Sequence, residues 1–219
     1  RLWGVMSNRT FERMFSQPEN KVDMFEAMNS GKIILINTAK DLLKQEGSEI
    51  FGRFFISMIA QSAFERAVLS SNERLDTFVY IDEAHEYFRG DDTTFEMLLG
   101  QARKYKVGFT TAMQTLSQTG PRLRASMMSN TSIKLAGGVS DSDARAFASE
   151  MRTDQSFIRD MYKRASSTEF ACFIKHITPG AIKISVPLGR MESMPTINQT
   201  DYDVLIEQNR VRYAKPFSE

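Results

Sequence analysis

The stretch Leu75–Glu86 places two carboxylates directly behind a run of apolar, β-favouring residues. Phe78, Val79, Tyr80 and Ile81 form that run, and Asp82 and Glu83 follow it without a spacer. A continuous apolar run of this length is expected to be a strand buried on both faces, as in a parallel sheet. Residues just past the carboxyl ends of such strands face the ligand crevice of open α/β sheets. One carboxylate at that place can hold Mg²⁺, directly or through water. A second beside it can orient and activate an attacking water. A plainer role is equally compatible with the dipeptide: an acidic first turn of the following helix, where the N-terminal dipole favours Asp and Glu.

Further residues bear on that choice. Val107–Met113 is another strand-like run, and Gln114 ends it. An amide there can hydrogen-bond an attacking water or a terminal phosphate without adding charge. Taken alone, Gln114 fits a satisfied edge amide better. Arg103 and Lys104 lie between the acidic strand and the Gln114 strand. A guanidinium is planar, multidentate and always protonated, which suits a developing phosphoryl charge. The alternative for Arg103, Lys104 and Lys106 is neutralisation of a helix C-terminus. His85 and His176 lack the i, i+4 partner of a zinc helix, so neither is expected to be a metal ligand.

The surrounding elements follow from pattern. Residues 1–31 read as a polar, helix-leaning lead-in, interrupted at Pro18 and stopped at Asn29-Ser30-Gly31. Lys32–Asn37 is expected to be a second buried strand, with Thr38 and Asp41 beyond its end. A long helix is expected from about Ser48 to Ser70, with Ile50, Phe51, Phe54, Phe55, Met58 and Ile59 on its apolar face. Right-handed crossover would make the flanking strands parallel. Residues 89–93 read as a turn, with Asp91, Asp92 or Thr93 available to cap a helix from about Thr94 to Tyr105. Residues 122–129 read as a short helix and Ser132–Ala136 as a fourth strand. Helices are expected over Asp141–Met151, capped by Ser140, and over residues 154–165. Glu169–Lys175 and Ala181–Leu188 alternate and should pair as an antiparallel hairpin. From Thr200 the tail reads as one amphipathic helix. The three polar strand ends, Asn37-Thr38, Asp82-Glu83 and Gln114, would line one crevice if they shared a sheet.

Composition bounds the reading. The 219 residues are 42% hydrophobic and 25% charged, ordinary for a globular domain, with a formal net charge of +1. No global field therefore argues for nucleic acid or a membrane surface. Arg122, Arg124, Lys134, Arg145, Lys163 and Arg164 are scattered basic residues that could line a pore or simply be solvated. Cys172 is the only cysteine, which excludes a disulfide or a cysteine metal cluster within one chain. No apolar run reaches the roughly 20 residues that span a bilayer, and no signal peptide is visible. The expected location is the cytoplasm. The chain begins with Arg1, which fits a fragment or a processed product.

The ordered set Val79-Tyr80-Ile81-Asp82-Glu83-Ala84-His85, Gly100-Gln101-Ala102-Arg103-Lys104-Tyr105-Lys106-Val107-Gly108 and Thr111-Ala112-Met113-Gln114 resembles the HerA/FtsK-like branch of P-loop ATPases. Within that branch it looks most like the type IV secretion and conjugative coupling ATPases of the TraG/TraD kind. Ser30–Asn37, and Asn130–Leu135 followed by Asp141–Ala144, also resemble segments of these proteins. The resemblance covers roughly residues 30–190. It implies a RecA-like α/β domain: a mostly parallel sheet flanked by helices, with a C-terminal antiparallel hairpin and terminal helix. The implied division is a lead-in over 1–31, the C-terminal part of the ATPase domain over 32–190 and a helical tail over 191–219. It further implies a homo-hexameric ring that binds ATP and Mg²⁺ and moves DNA or a secreted protein, joined through other segments to membrane-bound secretion machinery. Its location would then extend to the inner face of the membrane. Asp82 corresponds to the metal acid, Glu83 to the catalytic base and Gln114 to the sensor. Arg103 corresponds to an arginine that contacts nucleotide across a subunit boundary.

One departure is plain. The family's G-x-x-x-x-G-K-[ST] phosphate loop is missing: Gly4, Gly31, Gly47 and Gly52 do not offer that spacing, and Ser30-Gly31-Lys32 precedes a strand-like run rather than a helix. The expectation is the C-terminal part of a longer motor, inactive alone. Two alternatives remain: a binding or assembly module that kept the fold without the loop, and a hydrolase using the paired acids around another metal. The latter would need further carboxylates or histidines close to Asp82.

Overall fold

A computed structural model describes residues 9–15, 19–88 and 93–214, with only the backbone described for Thr93 and Thr94. The interruption expected at Pro18 and the turn at 89–92, with its caps Asp91 and Asp92, lie outside the described residues. The chain is α/β and divides into two compact units. One comprises Arg1–Tyr80, Gln101–Thr110 and Thr196–Glu219; the other comprises Ile81–Gly100 and Thr111–Pro195.

The first unit begins with α1 (Arg9–Phe15) and α2 (Met24–Asn29), the latter capped by Asp23, whose side chain accepts from the Glu26 N–H at 2.8 Å. The long helix α3 (Lys40–Glu65) starts earlier than its apolar spacing suggested and is broken at Lys44, where φ is +58°. Phe11, Leu43 and Phe51 form a small core with Ile36 and Phe55 against it. Edge-to-face ring pairs link Phe51 with both Phe11 and Phe55.

Between α2 and α3 the expected strand at 32–37 is absent. Ile33 and Leu35 are 91% and 92% exposed, and no strand among the described residues pairs with this segment. Strand preference expresses packing against neighbours, and among the described residues this segment has no strand beside it and only Ile36 set against a core. Asn37 and Thr38 act locally instead. The Asn37 Oδ1 accepts from the Ala39 N–H, and the Thr38 carbonyl accepts from Ser48 Oγ at 2.7 Å.

The strands β1 (Thr77–Ile81) and β2 (Val107–Thr111) form a two-stranded sheet. The Thr77 N–H donates to the Lys106 carbonyl and the Ala112 N–H to the Ile81 carbonyl, so pairing advances in the same direction along both chains and the strands are parallel. β1 was expected to be buried on both faces, yet Phe78 and Tyr80 are 69% and 75% exposed while Thr77, Val79 and Ile81 are half-buried. The starts of both strands are held by Arg66, a fully buried guanidinium just after α3. Its Nη1 donates to the Leu75 and Tyr105 carbonyls at 3.0 and 2.8 Å. Its Nη2 donates to the Met28 carbonyl and Thr77 Oγ1 at 2.6 and 2.8 Å. Burial lowers the Arg66 pKa, and the nearby Arg74 acts in the same direction. Arg74 in turn donates to the Arg66, Lys104 and Leu69 carbonyls.

The second unit contains most of α4 (Thr93–Gln101), then α5 (Pro121–Asn130), α6 (Asp141–Glu150) and α7 (Gln155–Arg159). Ser140 caps α6 as expected, accepting from the Asp143 N–H. α7 is one short turn of helix rather than the expected run over 154–165. The strands β3 (Ile133–Ala136), β4 (Ser167–Ile174) and β5 (Ile182–Pro187) form an antiparallel sheet in that order. Its β4–β5 part is the expected hairpin. β3 lies antiparallel to β4, with Leu135 opposite Cys172. Gly137 lets β3 run close to β4, because a Cβ there would lie 2.6 Å from the Glu169 carbonyl oxygen. The core is Ala136, Ala144, Met151, Ile158, Met161, Ala171 and Phe173. Within this sheet the buried Glu169 pairs with Lys183 at 2.6 Å and Arg164 at 2.8 Å, and those two donors hold its carboxyl below the usual range.

The tail forms α8 (Gln199–Tyr213), capped by Asn198, and it buries none of its residues. Its expected apolar face is therefore unused among the described residues. No described helix is long and apolar enough to cross a membrane.

Two stability effects follow. Arg66→Met leaves four acceptors without their donor and should lower the unfolding free energy by about 3 kcal/mol in urea titrations, with Arg66→Lys failing to restore it. Glu169 is stabilising while ionised, and that contribution should vanish as pH falls from about 4.3 through its depressed pKa. The Tm difference between wild type and Glu169→Gln should therefore be largest near neutrality and shrink on acidification.

Candidate active site

Backbone pairing continues past the ends of β1 and β2 and shapes the site. The Ala112 N–H donates to the Ile81 carbonyl, and the Ala112 carbonyl accepts from the Ala84 N–H, both at 2.9 Å. Ala112 thus spans the two ends of the Asp82-Glu83 dipeptide and makes it bulge. Glu83 takes up the bulge in the left-handed region, with φ +47° and ψ +43°. For a residue with a Cβ this costs about 1 kcal/mol. A 3₁₀ turn, Ala84–Glu86, follows in place of an α-helix. So short a turn has little dipole, which weakens the helix-start account of the two acids.

The strained backbone presents the Glu83 side chain to the segment after β2. The Gln114 Nε2 donates to Glu83 Oε1 at 2.9 Å. The other carboxylate oxygen, Oε2, lies 3.4 Å from His85 Nδ1. Asp82 is exposed, and its Oδ1 accepts the Glu83 N–H at 2.9 Å. Glu83 and Gln114, distant in sequence, are thus brought into direct contact. His85 joins them; the i, i+4 test for a zinc helix did not reveal it, whereas its i+2 spacing from Glu83 could have.

Gln114 is itself anchored. The Thr115 side chain caps a 3₁₀ turn over Leu116–Gln118, and the Leu116 N–H donates to the buried Asp143 Oδ2 at 3.1 Å. Asp143 belongs to the first turn of α6, so one carboxylate ties that helix to the segment two residues beyond Gln114. Sequence pattern alone gave no reason to single it out as a support.

The other candidates sit elsewhere. Arg103 lies exposed in a 3₁₀ turn of the first unit, over Ala102–Tyr105, which also contains Lys104. Asn37 and Thr38 also belong to that unit, so the second unit alone brings together Asp82, Glu83 and Gln114. Lys32 pairs with Glu26 at 2.7 Å. Among the scattered basic residues, Lys134 is buried and donates to the Thr131 carbonyl, Arg164 binds Glu169 and Arg122 pairs with Glu96 at 2.9 Å. Arg145 and Lys163 are exposed.

Among the described residues no group of three or more His, Cys, Asp or Glu could form a metal cage. A lone exposed carboxylate such as Asp82 nevertheless matches Mg²⁺, which keeps several waters and takes one or two protein carboxylates beside substrate phosphates.

No protein-family model matches the chain, and no curated protein matches it. Among solved structures it is similar to the genome packaging NTPase B204 from Sulfolobus turreted icosahedral virus 2 in complex with AMPPCP. The identity is 11%, the TM-score is 0.48, and the match covers 81% of this chain and 73% of that one.

The Asp143 anchor is testable on its own. Asp143→Ala leaves the buried Leu116 N–H unpaired and should cost about 1–3 kcal/mol of stability, with faster amide exchange at Leu116 and Ser117. Asp143→Asn keeps an acceptor oxygen and should lose less.

Proposed function

We propose that the chain is the C-terminal part of the motor domain of a P-loop ATPase, one that works as a homo-hexamer and couples ATP hydrolysis to movement of DNA or protein, as in conjugation or type IV secretion. The observation that carries this reading is the 2.9 Å hydrogen bond between Gln114 and Glu83, side chains just beyond the ends of adjacent parallel strands. A carboxylate there can accept the proton of an attacking water. An amide touching it can report whether a phosphate is in place. Asp82, exposed beside them, would hold the nucleotide's Mg²⁺, which offsets charge on the phosphates. Arg103 would act on nucleotide across a subunit boundary.

Phosphate binding would come from a loop outside these 219 residues, since Lys32, the lysine of the nearest Gly-Lys pair, is paired with Glu26 and lies before an extended segment. The same observation favours a second reading, a RecA-like binding or assembly module without hydrolysis. The cargo would be DNA or a secreted protein. The assembly would work in the cytoplasm, joined to membrane-bound secretion machinery through other segments.

The deciding experiment is ATP turnover by the full-length gene product, wild type beside Glu83→Gln, with and without DNA. Wild-type turnover is expected, with Glu83→Gln binding ATP but losing at least 100-fold in kcat, and the 219-residue chain alone showing none. Stimulation by DNA would identify DNA as the cargo. Absence of both binding and turnover in the full-length protein would leave the binding-module reading.

A further inference from the structure

The His85 imidazole lies beside Glu83, the carboxylate that carries the proposed chemistry. Its side chain is 16% exposed, and its Nδ1 atom is buried with no hydrogen-bond partner. A buried ring nitrogen left unpaired costs free energy, so such an atom needs a physical reason. The nearest ion-pairing group is Glu83 Oε2, at 3.4 Å, slightly beyond hydrogen-bond range. Contacts that orient a catalytic base are often long before substrate binds and tighten afterwards.

Glu83's backbone sits in the left-handed region, and the contacts of its carboxylate fix the far end of the side chain. Gln114 holds Oε1 only. A carboxylate fixed at one oxygen can still swing about that contact; a donor at the other oxygen stops the swing. His85 follows Glu83 by two residues, in the 3₁₀ turn that Glu83 precedes, so the donor and the carboxylate are carried by one short piece of backbone.

We propose that His85 is a positioning residue for Glu83: its Nδ1–H faces Oε2 and, with Gln114 at Oε1, holds the carboxylate in one orientation. The role in hydrolysis rests on the ATPase reading; the contact does not. In neutral imidazole one nitrogen donates and the other accepts, so the proposal fixes the proton on Nδ1. His85 touches neither nucleotide nor water in this account and acts through Glu83 alone.

The first arm of the test needs no nucleotide. The chain has two histidines, and His176→Asn leaves His85 as its only imidazole, at a site where φ of +67° suits Asn. Long-range ¹H–¹⁵N spectra of the ¹⁵N-histidine-labelled protein should show Nδ1 protonated, and Glu83→Ala should return the ring to the tautomer balance of free imidazole. A proton on Nε2 with Nδ1 bare in the otherwise wild-type protein, or no response to Glu83→Ala, would overturn the contact.

The second arm uses the full-length gene product. His85→Ala should lower kcat roughly tenfold or more with KM for ATP unchanged, and His85→Asn, whose amide can donate from nearly the same place, should recover most of it. A rise in KM with kcat unchanged, or Asn no better than Ala, would overturn the positioning role. If wild-type protein shows Nδ1 protonated yet no turnover, the ATPase reading fails while the contact stands, so the two failures are distinct.

Discussion

A single buried guanidinium sets where the parallel strands begin. Arg66 reaches the last turn of α2 at Met28, the approach to β1 at Leu75 and Thr77, and the approach to β2 at Tyr105. Four acceptors, none of them a carboxylate, surround a charge that cannot be neutralised by losing its proton. Dipoles of carbonyl groups therefore stand in for water, and they do so only while all three segments keep their places. Arg74 adds a second fork from the adjacent turn, to the Arg66 and Lys104 carbonyls. A guanidinium can serve here because its donors are planar and divergent, matching carbonyls that arrive from different directions. With both strand starts fixed, the Thr77–Lys106 hydrogen bond has little freedom of register.

Backbone pairing at the strand ends shapes the candidate site. In a strand a slip of one residue exchanges the faces of all side chains that follow. Ala112 pairs with both Ile81 and Ala84, so the two residues between them are forced out as a bulge, and Glu83 accepts a left-handed backbone. Glu83, whose carboxylate meets Gln114, is one of five non-glycine residues with positive φ among the described residues. Asp143 secures the other side of the contact through the Leu116 N–H. Within the second unit the site thus depends on two supports of different kinds: a backbone ladder and a buried carboxylate.

Much of this was legible in the amino-acid order, and the remainder failed for identifiable reasons. The α/β class, β2, the cap at Ser140, the β4–β5 hairpin and the strand ending in Asp82-Glu83 all follow from local pattern. Lys32–Asn37 did not become a strand, because an apolar run states what a segment can pack against, not whether a partner is present. The same distinction explains Phe78 and Tyr80, suited to a covered sheet face but exposed here. The run 154–165 shortened to five helical residues because Met161 enters the core beside Ile158 while the backbone turns toward β4. The meeting of Glu83 and Gln114 was foreshadowed by their places after consecutive strands. Asp143 and Arg66 were not, since a buried polar side chain is identified by acceptors and donors that only the folded chain assembles.

The Glu83–Gln114 hydrogen bond has a consequence that holds for any ligand reaching this place. Gln114 has one amide group, and in this structure one of its N–H donors is directed at Glu83. A phosphate or water that takes that donor must displace the carboxylate. Occupancy of the ligand position and orientation of Glu83 are therefore linked by a common donor, and linkage is reciprocal: whatever favours the released carboxylate favours the ligand by the same free energy. The linked quantity is of the order of one charge-assisted hydrogen bond, about 1.5–3 kcal/mol, or roughly 10- to 150-fold in an equilibrium. Here Glu83 is only half-buried and Asp82 is open to solvent, so the contact stays within reach of a competitor.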